Sequence, residues 1–219
     1  MDSKKNRFAD VWHRCSERSS MEVENRRAGQ DVFDQLEALY HQPWRRYHDF
    51  NHIEWCLHYF DKCREQAADP DSLELAIWFH DCIYVIGACD NEANSRDWFL
   101  SCSEGFLKDP VRERVANLIM DTYFRDNPFS EDGKLMVDID LSNLGGSWDM
   151  YVADSKAVMD ELVQVESATL ESVTEQVLVF LQHLLDKEYV YHTNYYRTNF
   201  EGHAQSNIMR YANQLKSHQ

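Results

Sequence analysis

Apolar residues recur at spacings of three and four along almost the whole chain, which predicts one α-helix after another. Glycine and proline together are scarce: the 219 residues include 7 glycines and 4 prolines, about 5% against an average near 12%. These patterns predict an all-α fold, a single-domain helical bundle over residues 1–219. The predicted helices cover about 8–15, 32–40, 51–66, 72–84, 91–103, 110–122, 147–166, 170–186 and 198–216.

Local signals suggest where several of these helices begin and end. Asp71 or Ser72 is expected to cap the fourth helix, which should end within 84–87. The clearest loop is RDNPFSEDG at 125–133. The segment after it, KLMVDIDLSNLGG at 134–146, is short, apolar and acidic, and we interpret it as extended or turn-like.

Composition then narrows the function classes. The formal net charge is -16, which disfavours general binding to nucleic acid or anionic lipid. No run approaches the roughly 18–20 apolar residues of a membrane span. The six cysteines form no CxxC pair, and 1–18 lacks the apolar core of a signal peptide. We therefore expect a cytoplasmic protein with reduced thiols. A homodimer stays open, since no apolar stripe is distinctive enough to indicate one.

Histidines and aspartates provide the candidate chemistry. His48 and His52 are four residues apart and would share one helix face. His80 and Asp81 directly follow the apolar run at 77–79, so this carboxylate is expected near the interior, where a buried charge needs a partner. Metal coordination is one such partner.

Asp138 and Asp140 complete this set, and only one of them would face a given centre. Imidazole and carboxylate ligands together suit manganese, iron, magnesium, cobalt, nickel or zinc. Each piece alone has a plainer explanation: a surface histidine pair, a chance His-Asp doublet, or solvated turn acids. The pieces reinforce one another, and together they favour a divalent metal site that leaves positions open for water and substrate.

Four spaced motifs resemble the HD-domain superfamily of metal-dependent phosphohydrolases, in particular a bacterial-type branch of predicted HD phosphohydrolases. They are RRYHDFNHI at 45–53, WFHDCIY at 78–84, DNEANS at 90–95 and DIDLSNLG at 138–145. The final segment at 200–215 also looks like the closing helix of that branch.

The resemblance implies specific roles. His52, His80, Asp81 and Asp140 would be the metal ligands. Asp140 is preferred to Asp138 because DLSN resembles the stretch after the final ligand in related cyclic-nucleotide phosphodiesterases. Those enzymes also carry a YHN…H stretch whose first histidine protonates the leaving oxygen. His48 matches that histidine and is the candidate general acid, and its alternative role is to orient the substrate.

Four further residues have two interpretations each. Glu92 would position water or simply begin a helix. Asn91 would donate to a phosphate or cap that helix, for which Asp90 is the other candidate cap. Arg45 would bind phosphate or form a structural ion pair. Arg125 stands three residues after Thr122, where the branch often has a histidine. It would supply charge to a phosphate or be a plain loop residue.

The predicted activity is hydrolysis of a phosphate ester or anhydride in a small, nucleotide-like substrate by metal-activated water. Three rivals remain. A di-iron oxygenase on the same fold would need extra ligands, for which Glu92 and Asp138 are the nearby candidates. A non-catalytic module would bind a nucleotide without turnover, and a helical interaction protein would hold no metal. Seven other histidines match no motif and are taken as non-ligands: 13, 41, 58, 183, 192, 203 and 218.

Overall fold

Ten α-helices and two short 3-10 helices form the fold, and a computed structural model describes it for residues 3–16, 22–123, 125–166 and 168–217. Those residues contain no β-strand, which confirms the all-α prediction. The 3-10 helices are Arg64–Gln66 and Leu141–Gly145. The α-helices are α1 (Ser3–Cys15), α2 (Glu22–Tyr40), α3 (Phe50–Cys63), α4 (Pro70–Phe79), α5 (Asn91–Ser103), α6 (Asp109–Tyr123), α7 (Glu131–Asp140), α8 (Trp148–Leu162), α9 (Leu170–Leu185) and α10 (Asn194–Lys216).

Aromatic side chains hold α4 in the centre of the bundle. Trp78 and Phe79 are fully buried, and the ring of Trp78 meets Phe8 edge-on at 5.6 Å and Phe33 at 5.8 Å. Each buried aromatic side chain removes about 150–250 Å² from water, an upper estimate of about 4–6 kcal/mol per ring. This packing fixes the position of the residues that follow Phe79, which are His80 and Asp81.

The bounds of α4 differ from those predicted at both ends. Asp69, not Asp71 or Ser72, is the N-cap, and its side chain accepts a hydrogen bond from the backbone N–H of Ser72 at 3.1 Å. The helix begins earlier because Pro70 already has a backbone suited to its first position. It ends at Phe79, several residues before 84–87.

The acidic segment after the 125–133 loop is helical, so the extended or turn-like interpretation was wrong. Ser130 caps α7 by accepting from the backbone N–H of Gly133 at 2.9 Å. Residues two apart on a helix point about 200° away from each other. Asp138 and Asp140 therefore still face opposite sides, as predicted, but for a different structural reason.

Two other helices are longer than the apolar pattern indicated. α2 begins at Glu22, and the apolar pattern missed its first half because those residues are mostly polar. α10 begins at Asn194, where the hydroxyl of Thr193 accepts from the backbone N–H of Tyr196. None of the helices in the described part of the chain has the length and apolar character needed to cross a bilayer.

Candidate metal centre and adjoining cavity

The ends of three helices bring four predicted ligands together. His52 lies in the first turn of α3, which Asp49 caps by accepting from the backbone N–H of Asn51 and of His52. His80 and Asp81 follow the last turn of α4, and Asp140 is the last residue of α7. The four side chains are buried, and one donor atom from each lies within 4.8 Å of all the others.

The distances among these donor atoms suit a divalent cation. Nε2 of His52 is 3.2 Å from Nε2 of His80 and 3.2 Å from Oδ1 of Asp140. Oδ2 of Asp81 is 3.1 Å from Nε2 of His80. Two ligands bound at about 2.1 Å with an angle of 90–110° lie about 3.0–3.4 Å apart, which is close to what is seen here. The four residues therefore fit a metal ion.

The second ring nitrogen of His80 fixes its tautomer. Nδ1 lies 3.0 Å from the backbone carbonyl of Ile77, which can only accept, so Nδ1 carries the hydrogen and donates it. Nε2 then faces the carboxylates, where it carries a proton without a metal and would offer its lone pair to a bound one. This is the arrangement that orients a histidine ligand toward a metal.

The electrostatics around His80 also suit a cation. Burial alone lowers the pKa of His80, but the charges and hydrogen bonds of Asp81 and Asp140 outweigh it and raise that pKa well above its usual range. Burial raises the pKa of Asp140, and the hydrogen bonds from His52 and His80 more than reverse this. The pair of carboxylates thus stabilises positive charge at their centre, and a metal ion competes with a proton for that place.

His48 stands beside this cluster and has a partner that the sequence did not indicate. Its Nδ1 donates to Oε2 of Glu161 at 2.6 Å. The other carboxylate oxygen of Glu161 accepts the backbone N–H groups of residues 46, 47 and 48 at 2.6, 2.8 and 3.0 Å. The His48 ring also stacks on Tyr84 with centroids 4.2 Å apart. One fully buried carboxylate therefore holds both the backbone and the ring of His48.

Comparison with known proteins does not assign the chain to a family. No protein-family model, no curated protein and no solved structure matches the chain. A helical fold with a buried His/Asp cluster is thus the statement that the structure supports, and it is compatible with an HD-type metal site.

The side chains of Arg45 and Asn91 bind backbone groups of the protein, which leaves the predicted phosphate contacts without support. The Arg45 side chain is buried and donates to three backbone carbonyls, those of His48, Asp81 and Cys82, at 2.7–2.8 Å. Its Nε donates to Gln42. Among the described residues Arg45 has no carboxylate partner, so the expected ion pair is wrong, and its hydrogen bonds instead join the loop after α4 to the segment before α3.

Asn91 fastens the same loop from its other end. Its side-chain oxygen accepts from the backbone N–H of Val85 at 2.9 Å, and its amide donates to the Val85 carbonyl at 3.0 Å. Both polar groups of the amide are used, which leaves the phosphate interpretation of Asn91 without support. Of the two candidates for the N-cap of this helix, Asp90 occupies the position, and Asn91 is the first residue of α5.

Arg125, by contrast, lies beside the cluster, and the charges of the cluster act on Glu92. Nε of Arg125 donates to the carbonyl of Thr122 at 2.7 Å, and its Nη2 lies 4.0 Å from Oδ2 of Asp140. Burial raises the pKa of Glu92, the charges of Asp81 and Asp140 raise it further, and that of Arg125 lowers it. Arg125 thus lies in the loop after α6 and Glu92 in the first turn of α5, as their plainer interpretations predict, and their roles at a substrate stay predictions.

Asp138 serves the fold instead of the cluster. Its carboxylate accepts the backbone N–H of His192 and of Thr193, each at 2.7 Å, and the Thr193 hydroxyl at 2.6 Å. Burial nevertheless raises its pKa to about 6. Among the described residues, the cluster of four is the group with metal-ligand geometry, and it includes none of the other histidines. His218 lies outside the described residues.

A cavity of about 270 Å³ opens beside the cluster, between α8 and α9. His48, Arg125 and Asp140 line the end of it that meets the candidate metal centre. A second cavity of about 330 Å³ adjoins it and shares Arg125, Leu141 and Phe180. The cluster is thus buried on the protein side and reachable from a space of ligand size.

Proposed function

We propose that this protein is a divalent-metal-dependent phosphohydrolase of the HD type that acts on a small phosphate ester or anhydride. The observation that carries the proposal is the convergence of two Nε2 atoms and two carboxylates next to a cavity that a candidate acid also lines. The order of the sequence motifs supports it. The nucleotide-like character of the substrate and a cytoplasmic location stay predictions.

The chain's own residues have distinct tasks in this proposal. A divalent ion held by the cluster supplies activated water and charge stabilisation at phosphorus. Arg125 places a guanidinium near Asp140, where phosphoryl oxygens would lie. His48, oriented by Glu161, gives a proton to the leaving oxygen. Glu92, whose carboxylate is affected by the charges of Asp81 and Asp140, is the candidate to orient the attacking water.

One rival activity is less well supported by the geometry. A di-iron centre needs ligands for a second ion beyond the four that converge. Of the two nearby candidates, Asp138 is turned toward 192–193, and Glu92 is not among the residues whose donor atoms converge in the described part of the chain. We therefore favour a single-metal hydrolase over a di-iron oxygenase.

The experiment is a hydrolysis screen that includes nucleoside mono- and triphosphates and simple phosphate esters, run with added Mn²⁺ and with a chelator. We expect turnover with metal, none with chelator, and a loss of about 100-fold or more in Asp140→Asn. Asp97→Asn is the matched control, since this exposed carboxylate pairs with its neighbour Arg96 and is not one of the four converging residues. Binding of nucleotide without turnover of any substrate would instead indicate a non-catalytic module.

A further inference from the structure

The walls of the cavity beside the cluster are largely apolar. The side chains that project from α8, α9 and the turn before α8 provide most of this surface: Leu144, Val158, Leu162, Val177, Phe180 and Leu181. The polar side chains between them, Asn143, Ser155 and Gln176, carry no charge. A ligand that fills this space therefore loses its water without gaining a charged partner, which favours an apolar surface.

The orientation of a bound phosphate ester follows from the position of the charged side chains, which line one end of the cavity. His48, which would protonate the leaving oxygen, lines the cavity together with Arg125 and Asp140. With the phosphoryl group at the cluster, the leaving oxygen lies at His48, and the organic group attached to it extends between α8 and α9. The cavity therefore receives the leaving group.

The charges available do not suit a chain of phosphates. Arg125 is the one arginine or lysine among the described residues that line this cavity. In the adjoining cavity, Asp126 pairs with Lys187 and lies beside the ring of His183, so the charge of Lys187 is already compensated. The net charge of -16 adds a general repulsion toward polyanions.

We propose that the substrate is a phosphate monoester whose organic part is uncharged, largely apolar and small. The cavity volume of about 270 Å³ is the volume that about nine molecules of liquid water occupy. The organic part of the substrate should therefore have on the order of ten non-hydrogen atoms. This inference rests on the proposed function, because it takes the cluster to be the end that holds the phosphoryl group.

The test uses n-alkyl phosphates from ethyl to hexyl, whose leaving alcohols differ little in acidity. With Mn²⁺ present, kcat/KM should rise with chain length, up to about fourfold for each buried CH₂ and by at least about tenfold from ethyl to hexyl. Calorimetric titration with the corresponding alkylphosphonates, which are not hydrolysed, should show the same trend in Kd. ATP should be a poorer substrate than hexyl phosphate.

A pair of variants on one helix assigns the effect to the cavity. Val177→Thr places a hydroxyl in the wall and should reduce the hexyl-to-ethyl ratio by about fivefold or more, because a buried hydroxyl loses hydrogen bonds to water. Val179→Thr makes the same change at a side chain that is 70% exposed and should leave the ratio unchanged.

The outcomes separate this inference from the proposed function. Ester hydrolysis that does not depend on chain length would overturn this inference, as would faster hydrolysis of ATP than of hexyl phosphate. Either result would leave the proposed hydrolase activity standing. Chain-length-dependent phosphonate binding without turnover of any ester would support the cavity assignment and overturn the hydrolase. Neither binding nor turnover of any of these compounds would overturn both.

Discussion

Removing the negative charge of Glu161 is expected to destabilise the fold and to impair protonation of the leaving group. Glu161→Gln keeps the shape of the side chain and leaves one oxygen for the backbone N–H groups of residues 46–48. Its amide nitrogen, however, would meet Nδ1 of His48, which now donates to a carboxylate oxygen. The variant therefore removes the charge and one acceptor at a fully buried site.

The size of the stability effect follows from the pKa of Glu161. Burial raises this pKa, but the hydrogen bonds and charge of His48 and the backbone donors lower it more, from its ordinary 4.5 to about 2. A lowered folded-state pKa stabilises the fold above pH 4.5, and the contribution is lost as the pH falls through about 2. The shift corresponds to about 3 kcal/mol at neutral pH and to about half of that at pH 3.

The assay is urea unfolding of wild type and Glu161→Gln at pH 7 and pH 3, with a chelator present so that metal binding does not contribute. The wild type should exceed the variant by about 3 kcal/mol at pH 7, and the gap should narrow at pH 3. Asp160→Asn is the control, because it removes an exposed carboxylate from the adjacent position of α8 and should change stability by about 0.5 kcal/mol at most.

Kinetics give a second readout that a purely structural role would not change. In Glu161→Gln, kcat/KM for an alkyl phosphate should fall by about 100-fold, whereas p-nitrophenyl phosphate should be much less affected because its leaving group needs no proton. Equal stability of the two proteins at pH 7, together with an equal loss for both esters, would refute the reasoning about Glu161.

Two further variants test other parts of the site. Arg125→Gln should lower kcat/KM for phosphate esters by about tenfold or more, since it removes the charge near Asp140, while metal content stays that of wild type; a fall in metal content would contradict this role. Asp138→Ala leaves the backbone N–H groups at 192–193 without their acceptor and should cost about 2–4 kcal/mol in the free energy of unfolding. Metal content at saturating Mn²⁺ should not change, and its loss would mean that Asp138 is a ligand after all.

The parts of the fold that could be predicted were the helices with a regular spacing of apolar residues. Spacings of three and four located α1, α3 and α6, because their apolar faces pack against the core. The same reasoning missed the helical nature of α7, because two acidic residues close together, Asp138 and Asp140, are typical of a solvated turn. Both are buried, and their partners lie on other elements.

Residue roles that depend on distant backbone could not be predicted. Arg45 was expected to contact phosphate or a carboxylate, but its acceptors are three carbonyl oxygens, and a sequence does not show where carbonyls point. Glu161 lies 113 residues after His48 and belongs to no motif.

The central claim is that His52, His80, Asp81 and Asp140 hold a divalent metal. The most direct measurement is the metal content, by mass spectrometry, of protein purified without a nickel column, for wild type, Asp81→Ala and the exposed control Asp97→Ala. We expect about one equivalent in wild type and control, and none in Asp81→Ala. Two equivalents, mainly iron, would instead favour the di-iron rival. A wild type with no metal, not restored by manganese, iron, magnesium, cobalt, nickel or zinc, would contradict the account.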